Sequence, residues 1–277
     1  MKKASICIAA LASLAVTSAL AQALPDRIKE AKAVVVANVP NYPPMEFKDP
    51  RTATLTGLDI DLGQALAKKL GVEFKFTEIS FEQMVSSLTT GRADMILSGM
   101  TDTEARRDTL DFVDYLTTGA QFYTTADAKD TFKTPADLCG KTVGASRRTS
   151  FPGEMEKWSK ANCEAAGKPA LKIVGTEGSA DARTQLKQKR LDAAVQGSET
   201  LPYLMSVEPN AYAIVGDPFT RQHQGMGFAK KDTALRDAVA AGLKAMIADG
   251  SYKAVLAKWN LEANAVSEVM INEVPVK

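Results

Sequence analysis

The sequence predicts an α/β protein built as two lobes with a ligand cleft between them. Two observations carry that prediction. Apolar, strand-like runs alternate with amphipathic helical ones, the order that builds parallel-type sheets with helices on both faces. One pattern also occurs twice: "LTTGRADMILSG" (88–99) and "LKQKRLDAAVQG" (186–197) both read L-x-x-x-R-x-D-x-x-[LV]-x-G without a gap. Each copy is a helix end, an Arg-x-Asp turn, a buried strand and a glycine where the strand stops. Open α/β sheets bind ligands beyond the carboxyl ends of their strands. Two lobes on one plan therefore bring the strand ends at Gly99 and Gly197 to one cleft.

Lys2-Lys3 precede an apolar run, Ala4 to Leu20, and Ala19-Leu20-Ala21 or Ala21-Gln22-Ala23 offers a small-residue cleavage site. Residues 1–23 read as a secretory signal peptide. "AVVVAN" (33–38) is short, β-branched and uniformly apolar, a buried strand, and "NYPPMEF" (41–47) is a proline-stiffened loop. In "GLDIDLGQALAKKLG" (57–71), Leu58, Leu62, Leu66 and Leu70 fall four apart and Gly71 ends the run, an amphipathic helix with its stop. "VEFKFT" (72–77) alternates as a strand, and "FEQMVSSLTTG" (81–91) sets Phe81, Met84, Val85 and Leu88 on one helical face. The second unit follows "TTADAKD" (124–130). It reads as strand 141–146, helix 151–162, strand 170–175, a helix through "ADARTQLKQKR", and strand 191–196. The chain returns through "HQGMGFAKK" (223–231) to a helical stretch, 234–260, broken at Asp249-Gly250. Lobe one is then 24–126 with 223–277, and lobe two is 127–222.

With 45% hydrophobic and 24% charged residues in 277, the chain has the composition of an ordinary globular protein. Without Lys2 and Lys3, 32 basic side chains stand against 33 acidic ones, a balance that speaks against nucleic acid or an anionic membrane as partner. Cys7 falls in the signal segment. The remaining pair, Cys139 and Cys163, is most simply a disulfide in an exported chain. A loop of that size makes it worth about 3 kcal/mol. One histidine and no C-x-x-C spacing make a metal site a poor alternative, and no cofactor motif is present.

"LSGMTDTEARR" (97–107) carries the chemistry: a strand ends in hydroxyls, a glycine and then a guanidinium. Ser98, Gly99 and Thr101 offer hydroxyls and approachable N–H groups, and Asp102 or Thr103 is placed to cap a short helix. Arg106, one turn further, can return a two-pronged donor to the same point, while Arg107 reads as a solvated surface residue. Together these groups describe a carboxylate receptor.

The chain resembles the periplasmic amino-acid-binding proteins of ABC transporters, solute-binding protein family 3. The resemblance rests on "NYPPMEF", "LTGLDIDLGQALAKKLG", "GRADMILSGMTDTEARR", "LDFVDYL", "LCGKTVG", "KRLDAAVQG" and "GMGFAKKD", and it covers about residues 30 to 260. It implies the type II periplasmic-binding-protein fold, two α/β lobes joined by two extended crossings, here 120–127 and 223–230. It also implies a monomer without cofactor that hands its ligand to an inner-membrane permease. Arg106 matches the arginine that pairs with the ligand α-carboxylate, and Ser98, Gly99 and Thr101 match its strand-end contacts. Tyr42 matches the aromatic over the ligand side chain, with Asn38 or Val39 where selectivity is set. From lobe two, Thr149 and Ser150 match hydroxyls that meet the carboxylate on closure.

Two departures matter. Gly197 stands where the family carries an aspartate for the ligand α-ammonium. Either Glu199 reaches in from two residues on, or the ligand lacks an α-ammonium, because a buried ammonium without a partner is costly. Arg147-Arg148 replaces a small residue before the paired hydroxyls: if Arg148 faces the cleft, it and Arg106 favour a dicarboxylate or otherwise anionic ligand, and the alternative is an arginine pair solvated on a loop. The expected function is capture of a small carboxylate-bearing solute, a polar or acidic amino acid, not catalysis. The alternatives are a non-amino organic acid, or a dehydratase on the same fold with Glu199 as its acid.

Overall fold

A computed structural model of the protein describes residues 24–276, so the signal segment expected at 1–23 lies outside the described residues. Helix α1 (Asp26–Ala31) leads into strand β1 (Ala33–Asn38), the buried run of β-branched residues. The proline loop is a small antiparallel sheet of β2 (Asn41–Tyr42), β3 (Glu46–Lys48) and β4 (Leu55–Thr56). Helix α2 (Leu58–Leu70) follows, then β5 (Glu73–Glu78), α3 (Met84–Thr89), β6 (Met95–Ile96), the one-turn helix α4 (Glu104–Arg107) and β7 (Leu110–Thr118). The next segment comprises β8 (Ala120–Thr125), β9 (Thr142–Ser146), α5 (Phe151–Asn162), β10 (Lys172–Thr176), α6 (Ser179–Lys187), β11 (Ala193–Gly197), α7 (Leu201–Val207) and β12 (Tyr212–Val215). Strand β13 (Gln222–Ala229), helices α8 (Thr233–Ala248) and α9 (Ser251–Lys258), and a hairpin of β14 (Met270–Ile271) and β15 (Val274–Pro275) complete the chain.

These elements form a seven-stranded sheet, β15-β14-β7-β13-β6-β1-β5, and a five-stranded sheet, β10-β9-β11-β8-β12. Each has a parallel core, β6-β1-β5 in one and β10-β9-β11 in the other. Both sheets are nevertheless mixed, because β13 runs antiparallel to its neighbours and so does β8. The segments expected as extended crossings are extended, and they pair as strands of the two sheets. Strand β8 already pairs in the second sheet, so the first change of sheet occurs at Gly119 rather than near 126. The second change occupies residues 216–221. The two passages are bonded together: Phe219 N–H donates to the Ala120 carbonyl (2.8 Å), and Ala120 N–H to Thr220 Oγ1 (2.8 Å).

The four leucines of α2 are fully buried and share a core with Leu235, Val239, Leu243 and Met246 of α8. Each such side chain contributes about 1.5–3 kcal/mol through burial. In lobe two, Phe122 of β8 stacks on Phe219 (centroids 4.5 Å apart) and meets Trp158 of α5 edge-on (5.0 Å).

The repeated pattern has one physical role in both lobes. Asp94 accepts the N–H of Val35 (2.7 Å) and returns its own N–H to the Val35 carbonyl (2.8 Å). Asp192 does the same with Thr142, at 2.8 Å for each bond. The aspartate thus fixes the start of β6 against β1 and of β11 against β9, and Leu88 and Leu186, six residues upstream in the preceding helices, are buried.

Cys139 and Cys163 form a disulfide that ties the segment before β9 to the end of α5. Replacing both cysteines by serine is expected to lower stability by about 3 kcal/mol, the loop-closure contribution of a bridge of this span. Urea unfolding of the variant beside the unmodified protein measures it.

Candidate functional site

A cavity of about 230 Å³ lies between the two sheets, walled by Val39, Tyr42, Phe81, Thr101 and Arg106 from one side. Ser146, Thr149, Phe151, Thr176 and Gln196 wall the other. Arg106 is half-buried on α4. Its guanidinium donates to the Thr101 carbonyl (2.7 Å) and lies 5.6 Å from the centre of the Phe81 ring. Arg107 beside it is paired with Asp102 and Glu273, whereas Arg106 has no ion-pair partner among the described residues. Burial pulls its pKa down to about 10, so it is cationic at neutral pH. A half-buried cation with spare N–H groups at a cavity wall can accept an anion as partner.

Tyr42 forms the opposite part of the first wall, and both glycines of the sequence repeat make room for it. A Cβ on Gly99 would stand 3.0 Å from the Tyr42 ring, and a Cβ on Gly197 would stand 2.5 Å from Tyr42 Oη. The same Cβ on Gly197 would overlap the carboxylate of Glu199. Glu199 thus fills the space a side chain at 197 would need, but it lies behind Tyr42 and does not line the cavity. Only 2% exposed, it accepts hydrogen bonds from Tyr42 Oη (3.1 Å), Gln224 Nε2 (2.7 Å) and Thr118 Oγ1. Tyr42 Oη also accepts the N–H of Gly197 (3.2 Å). Burial raises the pKa of Glu199, and these donors act against the rise.

Two more buried carboxyls adjoin this wall: Glu46 borders the cavity itself, and Asp59 lies behind it. Glu46 accepts from Ser98 Oγ (2.7 Å), and Asp59 accepts from Tyr115 Oη (2.8 Å) and from the N–H of Gly99 (2.8 Å). Burial, then the neighbouring Asp59, pushes Glu46 well up, and burial pushes Asp59 up to about 6. Two adjoining buried carboxyls cannot both ionise, so Glu46 keeps the proton.

Several expected site residues are placed differently. Ser98 donates to Glu46 and accepts the N–H of Val39 (3.0 Å), and so stands behind these two wall residues without lining the cavity itself. Gly99 lines the cavity as expected, but its N–H is committed to Asp59. Asn38 is buried and donates to the Leu97 carbonyl (2.7 Å), leaving Val39 at the wall. Helix α4 has no side-chain cap, because Asp102 is drawn to Arg107. Thr149 reaches the cavity but donates its hydroxyl to the Ser146 carbonyl (2.7 Å). Ser150 opens α5 and faces a shallower depression on the other side of Arg106. Arg148 does reach the cavity mouth, where it pairs with Glu82 of the facing lobe (2.8 Å). Sequence reasoning passed over Phe81 as a wall, Glu82 as that partner, and Glu46, Asp59, Thr118 and Gln224 as the buried polar set. The acidic residues sat inside quoted motifs, but nothing in their spacing marked them as buried.

The sequence profile of the bacterial extracellular solute-binding proteins, family 3, matches residues 34–262. An arginine-binding protein, ArgT, of Corynebacterium glutamicum is 31% identical over 92% of this chain and 86% of its own. An L-cystine-binding protein, TcyJ, of Escherichia coli is 28% identical over 91% of each chain. Among solved structures, ArgBP from T. maritima in a mutant form superposes with a TM-score of 0.75 at 30% identity, covering 85% of this chain and 98% of that one. An ancestral amino acid-binding protein, described as a precursor of cyclohexadienyl dehydratase, gives 0.74 at 31% identity over 84% and 98%.

The raised carboxyls make stability fall with rising pH. Burial holds Asp59 at about 6, and burial with the neighbouring Asp102 holds Asp114 at about 8. In the unfolded chain both titrate near 4. The folded protein therefore keeps protons that the unfolded chain releases, at a cost of up to about 1.4 kcal/mol per pH unit and proton. Urea midpoints are expected to decline between pH 5 and 8. Asp114→Asn should flatten the decline, most visibly from pH 6 to 8 where Asp59 no longer contributes.

Proposed function

The chain belongs to the bacterial extracellular solute-binding proteins, family 3, and on that premise we propose that it captures an amino acid in the periplasm for an ABC importer. The observation that carries this reading is Arg106, a cation without an ion-pair partner, at the wall of a cavity enclosed by two lobes. An α-carboxylate supplies the missing anion. Tyr42 and Phe81 supply apolar faces for the ligand's carbon skeleton, and Thr101 and Thr149 stand beside Arg106 on the two lobes. A ligand that bridges the lobes favours the closed form by the difference between its contacts in the two states. The relatives are named for arginine, cystine and histidine, all of which carry an α-carboxylate and an α-ammonium.

Gly197 favours a second reading, an organic acid without the ammonium, because the position offers no carboxylate of its own. Catalysis is the weaker reading. Glu199, the candidate acid, is bonded to three donors behind Tyr42 and is kept from the cavity.

The test is a thermal-shift screen with L-amino acids and with the same carboxylates lacking the amino group. Ligand at a hundred times its Kd stabilises by about 2.7 kcal/mol, which moves the midpoint by several degrees. Response to the amino acids is expected; response to the deaminated acids alone would replace the first reading by the second. A charge-assisted Arg–carboxylate bond contributes about 1.5–3 kcal/mol. Arg106→Ala should therefore weaken binding tenfold to more than a hundredfold with the fold intact, and a full ligand response in that variant would remove Arg106 from the site.

A further inference from the structure

The hairpin β14–β15 lies beyond residue 262, where the match to the family profile ends. It adds to the outer edge of the seven-stranded sheet by pairing β14 with β7. Its turn, Asn272-Glu273, has both residues in the left-handed region (φ 56 and 61). The turn is fixed from several directions. Asn272 exchanges hydrogen bonds with the backbone of Phe112, at 2.8 Å and 3.1 Å, and donates to Asp111 Oδ1 (2.9 Å). Glu273 N–H donates to Asp114 Oδ2 (3.0 Å).

From this platform the Glu273 carboxylate reaches α4. One oxygen is 2.6 Å from an Arg107 terminal nitrogen, and the other is 3.5 Å from Nδ1 of His223 on β13. Arg107 Nε meanwhile donates to Asp102 Oδ1 (2.6 Å), and Asp102 N–H donates to the His223 carbonyl (2.8 Å). Helix α4 needs such anchorage. It has four residues and no side-chain cap, and a single turn does not hold its shape unaided. Arg106 is the residue next to the anchored one.

We propose that Glu273 is a positioning residue for ligand capture: through Arg107 it holds α4 so that the Arg106 guanidinium faces the cleft. Glu273 touches no part of the cavity. It acts by removing conformations of α4 in which Arg106 turns to solvent, and so reduces the ordering cost of binding. The proposal rests on the reading of Arg106 as the carboxylate receptor, and its test separates the two.

The first measurement needs no ligand. Amide hydrogen exchange of the full mature chain is compared between the unmodified protein and Glu273→Ala. Several-fold faster exchange confined to residues 101–109 is expected, and unchanged exchange there overturns the proposal. The second is L-arginine binding by calorimetry. Glu273→Ala should weaken it threefold to tenfold, Glu273→Gln less, and Glu273→Ala should add nothing in an Arg106→Ala background. A lowered melting temperature with unchanged L-arginine affinity would make Glu273 a purely structural residue and overturn the proposal. If the unmodified protein does not take L-arginine, arginine is excluded as its ligand, and the exchange measurement alone decides the role of Glu273.

Discussion

A carboxylate buried between two lobes must be given donors, and Glu199 takes its side-chain donors from the facing lobe. Tyr42 comes from β2, Thr118 from the end of β7 and Gln224 from β13. A buried carboxyl left without partners is costly whether or not it holds its proton, so the three bonds keep the lobes close. Much of the site follows. Tyr42 is aimed by its bond to Glu199, which makes its ring a cleft wall. Gly197 carries no side chain because the Glu199 carboxylate and Tyr42 Oη already occupy that space. The departure from the family pattern at 197 and the buried position of Glu199 are thus one arrangement seen from two residues.

The charges of the cleft are distributed with a consistent logic. The buried acidic groups around Tyr42 hold a proton, as on Glu46, or are satisfied by hydrogen bonds from neutral donors, as on Asp59 and Glu199. Cations at the mouth are matched by nearby carboxylates, Arg147 with Glu177 and Arg148 with Glu82. The Arg148–Glu82 pair is more than half exposed and joins the two lobes, so salt screens it and its contribution to closure is small. Arg106 at the same cavity has no ion-pair partner among the described residues.

Much of the fold was legible because burial leaves a period in the sequence. The leucines of α2 and the uniformly apolar β1 could be placed from spacing alone. The repeat was legible for a sharper reason: Asp94 and Asp192 bond both backbone groups of one residue in the neighbouring strand, a requirement few other side chains meet. Sheet membership was not legible for β8, since "AQFYTT" has the same character in either sheet. The hairpin beyond 262 also escaped notice, as its strands have two residues each. Within the site, residue types were easier to read than directions. Ser98 and Thr101 carry the same hydroxyl signature at one strand end, yet Ser98 serves Glu46 while Thr101 lines the cavity.

The passages between the lobes differ in length: Gly119 alone separates β7 from β8, whereas residues 216–221 separate β12 from β13. The longer one is no freer, because Phe219 and Thr220 are bonded to Ala120 and Phe219 stacks on Phe122. Mechanically the two passages act as one pin. Translation of one lobe along the other would have to shear these bonds, while a swing about the pin leaves them intact. A swing that widens the cavity has instead to break the bonds that Glu199 accepts from Tyr42 and Gln224, so opening is resisted at the buried carboxylate and not at the pin.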